Sequence, residues 1–170
     1  MTNWISSDTH LFHKNIIEYC DRPFPDLERM HENFRATWLN CVDKDDNVYL
    51  LGDISFGSRA NTQKVFADLP GKITVIKGNH DNFKMLSSFE TVLDYHETII
   101  EMTRVCMFHF PMQSWHRKER GSVHVHGHMH GRGQDLPRRK DIGVDATKKW
   151  LTNLDELVLE MVKQPFIAER

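Results

Sequence analysis

The chain has 170 residues, of which 39 % are apolar and 27 % are charged, and its formal net charge is −2. This length and composition predict one folded domain over residues 1–170 and exclude a largely disordered chain. The near-neutral charge disfavours extensive binding to a nucleic-acid backbone but leaves a local basic patch open.

Two helices are predicted in the first half of the chain. Apolar residues recur at intervals of three and four over residues 27–41, directly after Asp26, which we expect to cap the helix. A second helix is predicted over residues 61–69, where Pro70-Gly71 ends it. Such apolar stripes are typical of packing faces, so we assign these helices to the core and not to a binding surface.

Strands and a third helix complete the predicted elements. Seven runs rich in β-branched and aromatic residues predict strands: NWIS, NVYLL, KITVI, HETII, RVCMF, SVHV and DIGV. The third helix is predicted over residues 154–162, with Thr152 and Asp155 as a capping box. The alternation of the two element types predicts an α/β protein.

Residues able to bind a metal follow the ends of five predicted strands. They are Asp8 and His10 after NWIS, Asp53 after NVYLL, Asn79 and His80 after KITVI, His109 after RVCMF, and His128 and His130 after SVHV. Sites in α/β sheets assemble at strand exits. We therefore infer that these separate segments converge on a metal site.

The donor types indicate which metals and which chemistry to expect. Imidazole and carboxylate without thiolate suit manganese, iron, nickel or zinc better than calcium or copper(I). With His80 left aside, seven candidate ligands exceed the four of one zinc site, and a carboxylate such as Asp53 can bridge two cations at roughly 3.5 to 4 Å. A bound cation lowers the pKa of water to about 7, and a pair holds the oxygens of a phosphate. Hydrolysis of a small phosphorylated substrate is the predicted reaction.

The cysteines and the hydropathy favour a cytoplasmic protein. Cys20, Cys41 and Cys106 are odd in number and show no CxxC spacing, which argues against a disulfide framework and a zinc finger. No apolar window approaches the ~20 residues of a membrane span, and NWISSDTH lacks signal-peptide features. We expect no membrane partner, and the sequence does not predict the oligomeric state.

Five motifs in chain order resemble those of the calcineurin-like metallophosphoesterase family. They read Asp8-Thr9-His10, Gly52-Asp53, Gly78-Asn79-His80-Asp81, a lone His109, and Gly127-His128-Met129-His130. The stretches SDTHLFHKNIIEYCDRPF and DIGVDA are further similar to small bacterial and phage-type members. The resemblance implies a layered α/β sandwich of two mixed β-sheets flanked by helices. It also implies two divalent metal ions, with manganese favoured and iron, nickel, zinc or magnesium as alternatives.

The family pattern implies a role for each motif residue. Asp8, His10 and His130 would bind the first metal, and Asn79, His109 and His128 the second. Asp53 would bridge the two metals. His80 matches the family residue that stabilises the transition state or protonates the leaving oxygen.

Some residues near the motifs depart from the family pattern. Many relatives carry an acidic or amide residue three positions after the bridging aspartate, where this chain has Phe56. The group that orients His80 is therefore open, and Asp81 is a candidate by adjacency alone. His124 and His126 match no family ligand, and we expect them to be structural or to support a ligand.

Other polar and aromatic residues carry two interpretations. His13 could approach the substrate or support its loop. The cations Arg132, Arg138, Arg139 and Lys140 could meet a phosphate, but a solvated charged loop is preferred. For Trp115, His116 and Trp150, packing is preferred over stacking on a base.

Three functions share this pattern. The leading hypothesis is a binuclear-metal phosphoesterase, with diester or monoester preference open. A nuclease would use the same chemistry but needs a basic groove, which the charge balance disfavours. A non-catalytic scaffold on the same fold would tolerate loss of ligands, whereas all seven ligands and His80 are present.

Overall fold

The first β-sheet carries the amino-terminal strands. The computed structural model describes residues 1–134 and 136–166. This sheet consists of β1 (Asn3–Ser6), β2 (Asn47–Leu50), β3 (Lys72–Ile76), β4 (Thr91–Leu93) and β9 (Thr152–Asn153), in the order β4-β3-β2-β1-β9. Strands β1 to β4 pair in parallel, and β9 is antiparallel to β1. The carboxyl ends of β1, β2 and β3 therefore lie at one edge.

The second sheet is also mixed. It consists of β5 (His96–Ile100), β6 (Thr103–Met107), β7 (Val123–His126) and β8 (Arg139–Asp141), in that order. β5 is antiparallel to β6, whereas β6, β7 and β8 are parallel. Two mixed sheets in an α/β chain confirm the predicted fold class.

Short and long helices connect the strands. They are α1 (Ile16–Tyr19), α2 (Leu27–Cys41), α3 (Arg59–Phe66), α4 (Phe83–Leu86), α5 (Val144–Thr147) and α6 (Leu154–Met161), with a 3-10 turn at Lys118–Arg120. The Asp26 carboxylate accepts a hydrogen bond from the Arg29 amide, which confirms that Asp26 caps α2. α3 begins before residue 61 because Ser58 caps it, and it ends at Phe66, short of Leu69.

Two predictions near the carboxyl terminus were wrong in detail. Asn153, and not Thr152, caps α6, because its side chain accepts from the Glu156 amide at 3.1 Å. The Asp155 carboxylate instead accepts from both the amide and the side chain of Asn3. The run DIGV is a strand only up to Asp141, since Gly143 takes the cap position of α5.

Alternation along the strands divides the core into two layers. In β2, Val48 and Leu50 pack in a cluster with α2 residues such as Phe34 and Trp38. Tyr49 of β2, and Leu51 directly after the strand, pack toward the second sheet in another cluster with Val105, Met107, Val123 and Val125. The two-residue period of a strand produces this division. No helix among the described residues has the length and apolar character needed to cross a bilayer.

Candidate metal centre

The strand exits of both sheets converge, and several of the residues there have an unusual backbone. Five of the predicted ligands have positive φ: Asp8 (57°), His10 (48°), Asp53 (52°), His128 (68°) and His130 (49°). Non-glycine residues adopt this region rarely and at an energetic cost, and such strain concentrates at functional sites. The fold therefore maintains an unfavourable backbone where these side chains must converge.

The first group of donors consists of Asp8, His10 and His130. One ligand atom of each lies within 4.8 Å of the others. The Asp8 carboxylate is fully buried and accepts a hydrogen bond from the His128 amide at 3.0 Å, which fixes its orientation. Its Oδ1 lies 3.9 Å from Nε2 of His130. The separate ends of β1 and β7 thus build one cluster.

The second group consists of Asp53, His109 and His128, joined by Asn79. Oδ1 of Asn79 lies 3.0 Å from Nε2 of His109 and 3.0 Å from Nδ1 of His128. Nδ1 of His109 donates to the carbonyl of Leu51 at 2.7 Å, so its Nε2 presents a lone pair to the centre of the group. Acceptor atoms converging in this way suit a cation.

Asp53 of the second group also faces the first group. Its Oδ2 is 3.7 Å from Nε2 of His10 and 3.5 Å from Nε2 of His109. Its Oδ1 accepts a hydrogen bond from the His80 amide at 2.9 Å. One carboxylate oxygen therefore faces both groups, which is the placement that a bridging ligand requires.

The electrostatics of the first group also suit a cation. His10 is 3 % exposed, and neither ring nitrogen has a hydrogen-bond partner within the described part of the chain. Burial, and then the neighbouring His130, lowers the pKa of His10 to about 2. Burial raises the pKa of Asp8 to about 6, against the lowering influence of His109 and His130. Buried polar atoms without partners are costly unless an ion satisfies them.

Asp145 and Arg22 support His130. They lie in the family-like stretches DIGVDA and SDTHLFHKNIIEYCDRPF, but no pattern there predicted either role. The Asp145 carboxylate accepts from Nδ1 of His130 at 2.7 Å and from the Arg22 guanidinium twice at 2.9 Å. Arg22 also donates to the carbonyls of Asp8 and Thr9. Hydrogen bonding to Asp145 raises the pKa of His130. A carboxylate behind a histidine fixes which nitrogen faces a metal.

Replacing Asp145 tests this support. We expect Asp145→Asn to weaken metal binding by about 10- to 100-fold, since the uncharged amide has one acceptor oxygen in place of the two that now orient His130 and Arg22. Calorimetric titration of metal-free protein with Mn²⁺ measures the change. Asp43→Asn is the matched control, because Asp43 is exposed and precedes β2, at the end of that strand opposite to the centre. Unchanged Mn²⁺ affinity in Asp145→Asn would show that Asp145 does not orient the ligand.

Cys20 also borders this cluster without joining the predicted ligands. Its Sγ lies 3.5 Å from Nδ1 of His130, and it forms a third group of potential ligands with His130 and Asp145. Burial raises the pKa of the Cys20 thiol to about 11. The thiol therefore stays protonated near neutral pH, and Nδ1 of His130 is already bonded to Asp145.

His80 lies at the exposed rim of the centre. Its ring centroid is 6.0 Å from that of His10 and 5.4 Å from that of Phe56. The suggestion that Asp81 orients this ring was wrong. The Asp81 carboxylate is occupied by the amides of Gly78, Asp53 and Ile54, each at 2.9 Å, so it ties together the two loops that carry Asp53 and Asn79.

Two glycines permit the loops to approach this closely. Gly52 has a φ of 80°, and a Cβ there would also overlap the backbone of Gly78. A Cβ at Gly127 would collide with the side chains of Ser7 and Asp8. Larger residues at either position would separate the strand exits, which explains the glycines of the GD and GH motifs.

His124 is a buried residue of β7 with backbone partners. Its Nδ1 donates to the carbonyl of Cys106 at 3.0 Å, and its Nε2 accepts from the amide of Met112 at 3.1 Å. His126 lies beside it, with Nδ1 2.8 Å from the carbonyl oxygen of Gly127. Neither belongs to a group of potential metal ligands among the described residues.

His124 gives a prediction for stability against pH. Burial lowers its pKa from 6.5 to about 4. The unfolded chain thus binds a proton in this window that the folded chain does not, so stability falls as the pH drops from 6.5 toward 4, by roughly 3 kcal/mol at most. Urea unfolding of metal-free protein across this window should show a shallower pH dependence for His124→Asn. Equal slopes for the two proteins would contradict this assignment.

The arginines after the last motif and the aromatic residues singled out in the sequence have mainly structural contacts. Arg138 donates to the carbonyls of Gly121, Val162 and Gln164, and Arg139 to those of Met112 and Gln134. The expectation of a merely solvated loop was therefore wrong for these two arginines.

The packing interpretation fits Trp115 and Trp150, which are buried, while His116 pairs with Glu97.

Comparisons with known proteins agree with this architecture. A family model described as a calcineurin-like phosphoesterase superfamily domain matches residues 1–154. The chain is 34 % identical over 150 residues to an uncharacterized protein of Methanocaldococcus jannaschii, covering 84 % of this chain and 80 % of that protein. It is 31 % identical over 193 residues to the gene 66 protein of Mycobacterium phage D29, covering 94 % of each. A protein of unknown function from Aquifex aeolicus shares the fold, with a TM-score of 0.73 at 21 % identity over 92 % of this chain and 97 % of that one.

Proposed function

Because the chain belongs to the calcineurin-like phosphoesterase superfamily, we propose that it hydrolyses phosphate esters with two divalent cations. The observation that carries this proposal is the position of Asp53 between two groups of nitrogen and oxygen donors. Two cations that share a carboxylate form the usual arrangement for in-line displacement at phosphorus.

The residues present fit such a pair. Asp8, His10 and His130 would hold one cation, Asn79, His109 and His128 the other, and Asp53 both. The unpartnered nitrogens of buried His10 support the first position, and the lone pair of His109 that Leu51 directs inward supports the second. The donors suit manganese, with iron, nickel, zinc or magnesium as alternatives.

The chain's own residues would divide the work around the ester. When bound, the cations supply Lewis acidity, which activates water and neutralises charge on the phosphate oxygens. His80, at the exposed rim and next to Asn79, donates a proton to the leaving oxygen. Asp145 and Arg22 hold His130 in place, and Asp81 holds the loop that carries Asp53.

A small phosphorylated molecule is the substrate that we favour. Asn79 and His80 are exposed, so an ester can reach the centre directly. The cations Arg138 and Arg139 contact backbone carbonyls and are less available to track a nucleic-acid backbone, so a nuclease is the less favoured function. All three cysteines are free thiols, which supports a cytoplasmic location.

Hydrolysis by reconstituted protein tests the proposal. Metal-stripped protein is loaded in turn with manganese, nickel, zinc and magnesium and assayed with bis(p-nitrophenyl) phosphate and p-nitrophenyl phosphate. We expect turnover that depends on the metal, and the two esters reveal whether diesters or monoesters are preferred. Binding of two metal equivalents without turnover of either ester or of nucleotide esters would favour a non-catalytic scaffold.

A further inference from the structure

Phe56 forms part of an aromatic cluster beside the candidate metal centre. Its ring stacks on that of His13, with centroids 4.3 Å apart and planes inclined by 19°. It also lies nearly parallel to His10 at 5.3 Å and tilted against His80 at 5.4 Å. One phenylalanine thus contacts a predicted ligand, the predicted proton donor and the unassigned His13.

The Phe56 ring is not enclosed between His10 and His13. Rings on opposite faces of Phe56 would be separated by nearly the sum of their distances from it, yet the His10 and His13 centroids are only 5.7 Å apart. The two imidazoles therefore do not sandwich the phenyl ring. In agreement with this, Phe56 is 41 % exposed although most large apolar side chains of the core are fully buried.

Backbone contacts fix the loop that carries this exposed ring. The Phe56 amide donates to the carbonyl of Leu11 at 2.8 Å, and Leu11 pairs with Ser55 in an isolated bridge. The loop that carries His10 and His13 is thereby joined to the loop that carries Asp53 and Phe56. A flat surface fixed beside a phosphate-binding centre suits a planar group attached to that phosphate, because aromatic faces stack on bases with little dependence on base identity.

We propose that Phe56, supported by His13, is a stacking platform for the planar group of the substrate, which selects nucleotides over phosphate esters of aliphatic alcohols. This proposal rests on the proposed phosphoesterase function for the position of the phosphate. It assigns Phe56 to substrate selection and His13 to holding the phenyl ring.

Equilibrium binding tests the platform without depending on turnover. The probes are the phosphonate analogues of AMP and of ribose 5-phosphate, which share the same head group and resist hydrolysis. Calorimetry with Mn²⁺-loaded protein should show about tenfold or tighter binding of the analogue that carries the base. Phe56→Ala should weaken binding of the AMP analogue to the affinity of the ribose 5-phosphate analogue. The affinity of the ribose 5-phosphate analogue, which has no base to stack, should not change.

Two further variants separate stacking from general apolar contact. Phe56→Leu keeps apolar volume but removes the aromatic face, so we expect it to lose most of the preference for the base. Phe166→Ala is the matched control, since Phe166 is 44 % exposed and packs on Arg138, not on the imidazoles. A preference for the base that survives Phe56→Ala, or equal binding of the two probes by the unmodified protein, would overturn the platform.

The outcomes distinguish this proposal from the proposed function. Hydrolysis of p-nitrophenyl esters together with equal binding of the two phosphonates would leave the phosphoesterase standing and remove the platform. A preference for the base that depends on Phe56, in protein that hydrolyses no ester, would support the platform and contradict the enzyme.

Discussion

Asp53→Asn is expected to lose most of the bound metal and nearly all hydrolysis. The amide keeps an oxygen that can accept from the His80 amide, as Oδ1 does now at 2.9 Å. The substitution replaces the charged Oδ2 by an uncharged amide nitrogen. Oδ2 lies 3.7 Å from Nε2 of His10 and 3.5 Å from Nε2 of His109. Because that oxygen faces both groups of donors, its loss should weaken both metal positions and not only one.

Metal content by elemental analysis and hydrolysis of bis(p-nitrophenyl) phosphate measure the two effects. Asp155→Asn is the matched control, because that carboxylate accepts hydrogen bonds from Asn3 at the first residue of β1, at the end opposite to the centre. The control should retain metal and turnover. An Asp53→Asn protein with full turnover would contradict the shared-carboxylate assignment.

His80→Ala should have the second largest effect, and it should act on rate alone. The ring lies at the rim and belongs to neither group of potential ligands. We therefore expect two metal equivalents to remain bound while kcat falls by about 10² to 10⁴, the range for losing a proton donor.

The control for this variant is His116→Ala, which removes an exposed imidazole that pairs with Glu97. It should leave both metal content and kcat unchanged. Loss of metal from His80→Ala would make His80 a ligand, and unchanged kinetics would leave it with a purely structural role.

Local patterns were sufficient to predict the elements that position the centre. The period of residues 27–41 and the cap at Asp26 predicted α2 correctly, because an amphipathic helix of this length carries its signal in its own residues. The polar residues after β1, β2, β3, β6 and β7 predicted convergence, because parallel strands in each sheet end at one edge. The short strand β4 and the two-residue β9 had no comparable signal.

The supporting residues could not be predicted, because tertiary contacts alone create their roles. Asp145 follows His130 by fifteen positions, lies in α5 beyond strand β8, and meets His130 only through a side-chain hydrogen bond in the folded chain. Arg22 reaches across the fold to the same carboxylate. Phe56 stood out in the sequence only as a departure from the family pattern, and its stacking on His13 required the loops to be placed.

The dependence of hydrolysis on bound manganese tests the central claim most directly. Metal-free protein is titrated with Mn²⁺ while hydrolysis of bis(p-nitrophenyl) phosphate and the number of bound equivalents are followed together. A centre of two cations that share Asp53 predicts little turnover at the first equivalent and full turnover at the second. Full turnover at one equivalent, or turnover in metal-free protein, would contradict it.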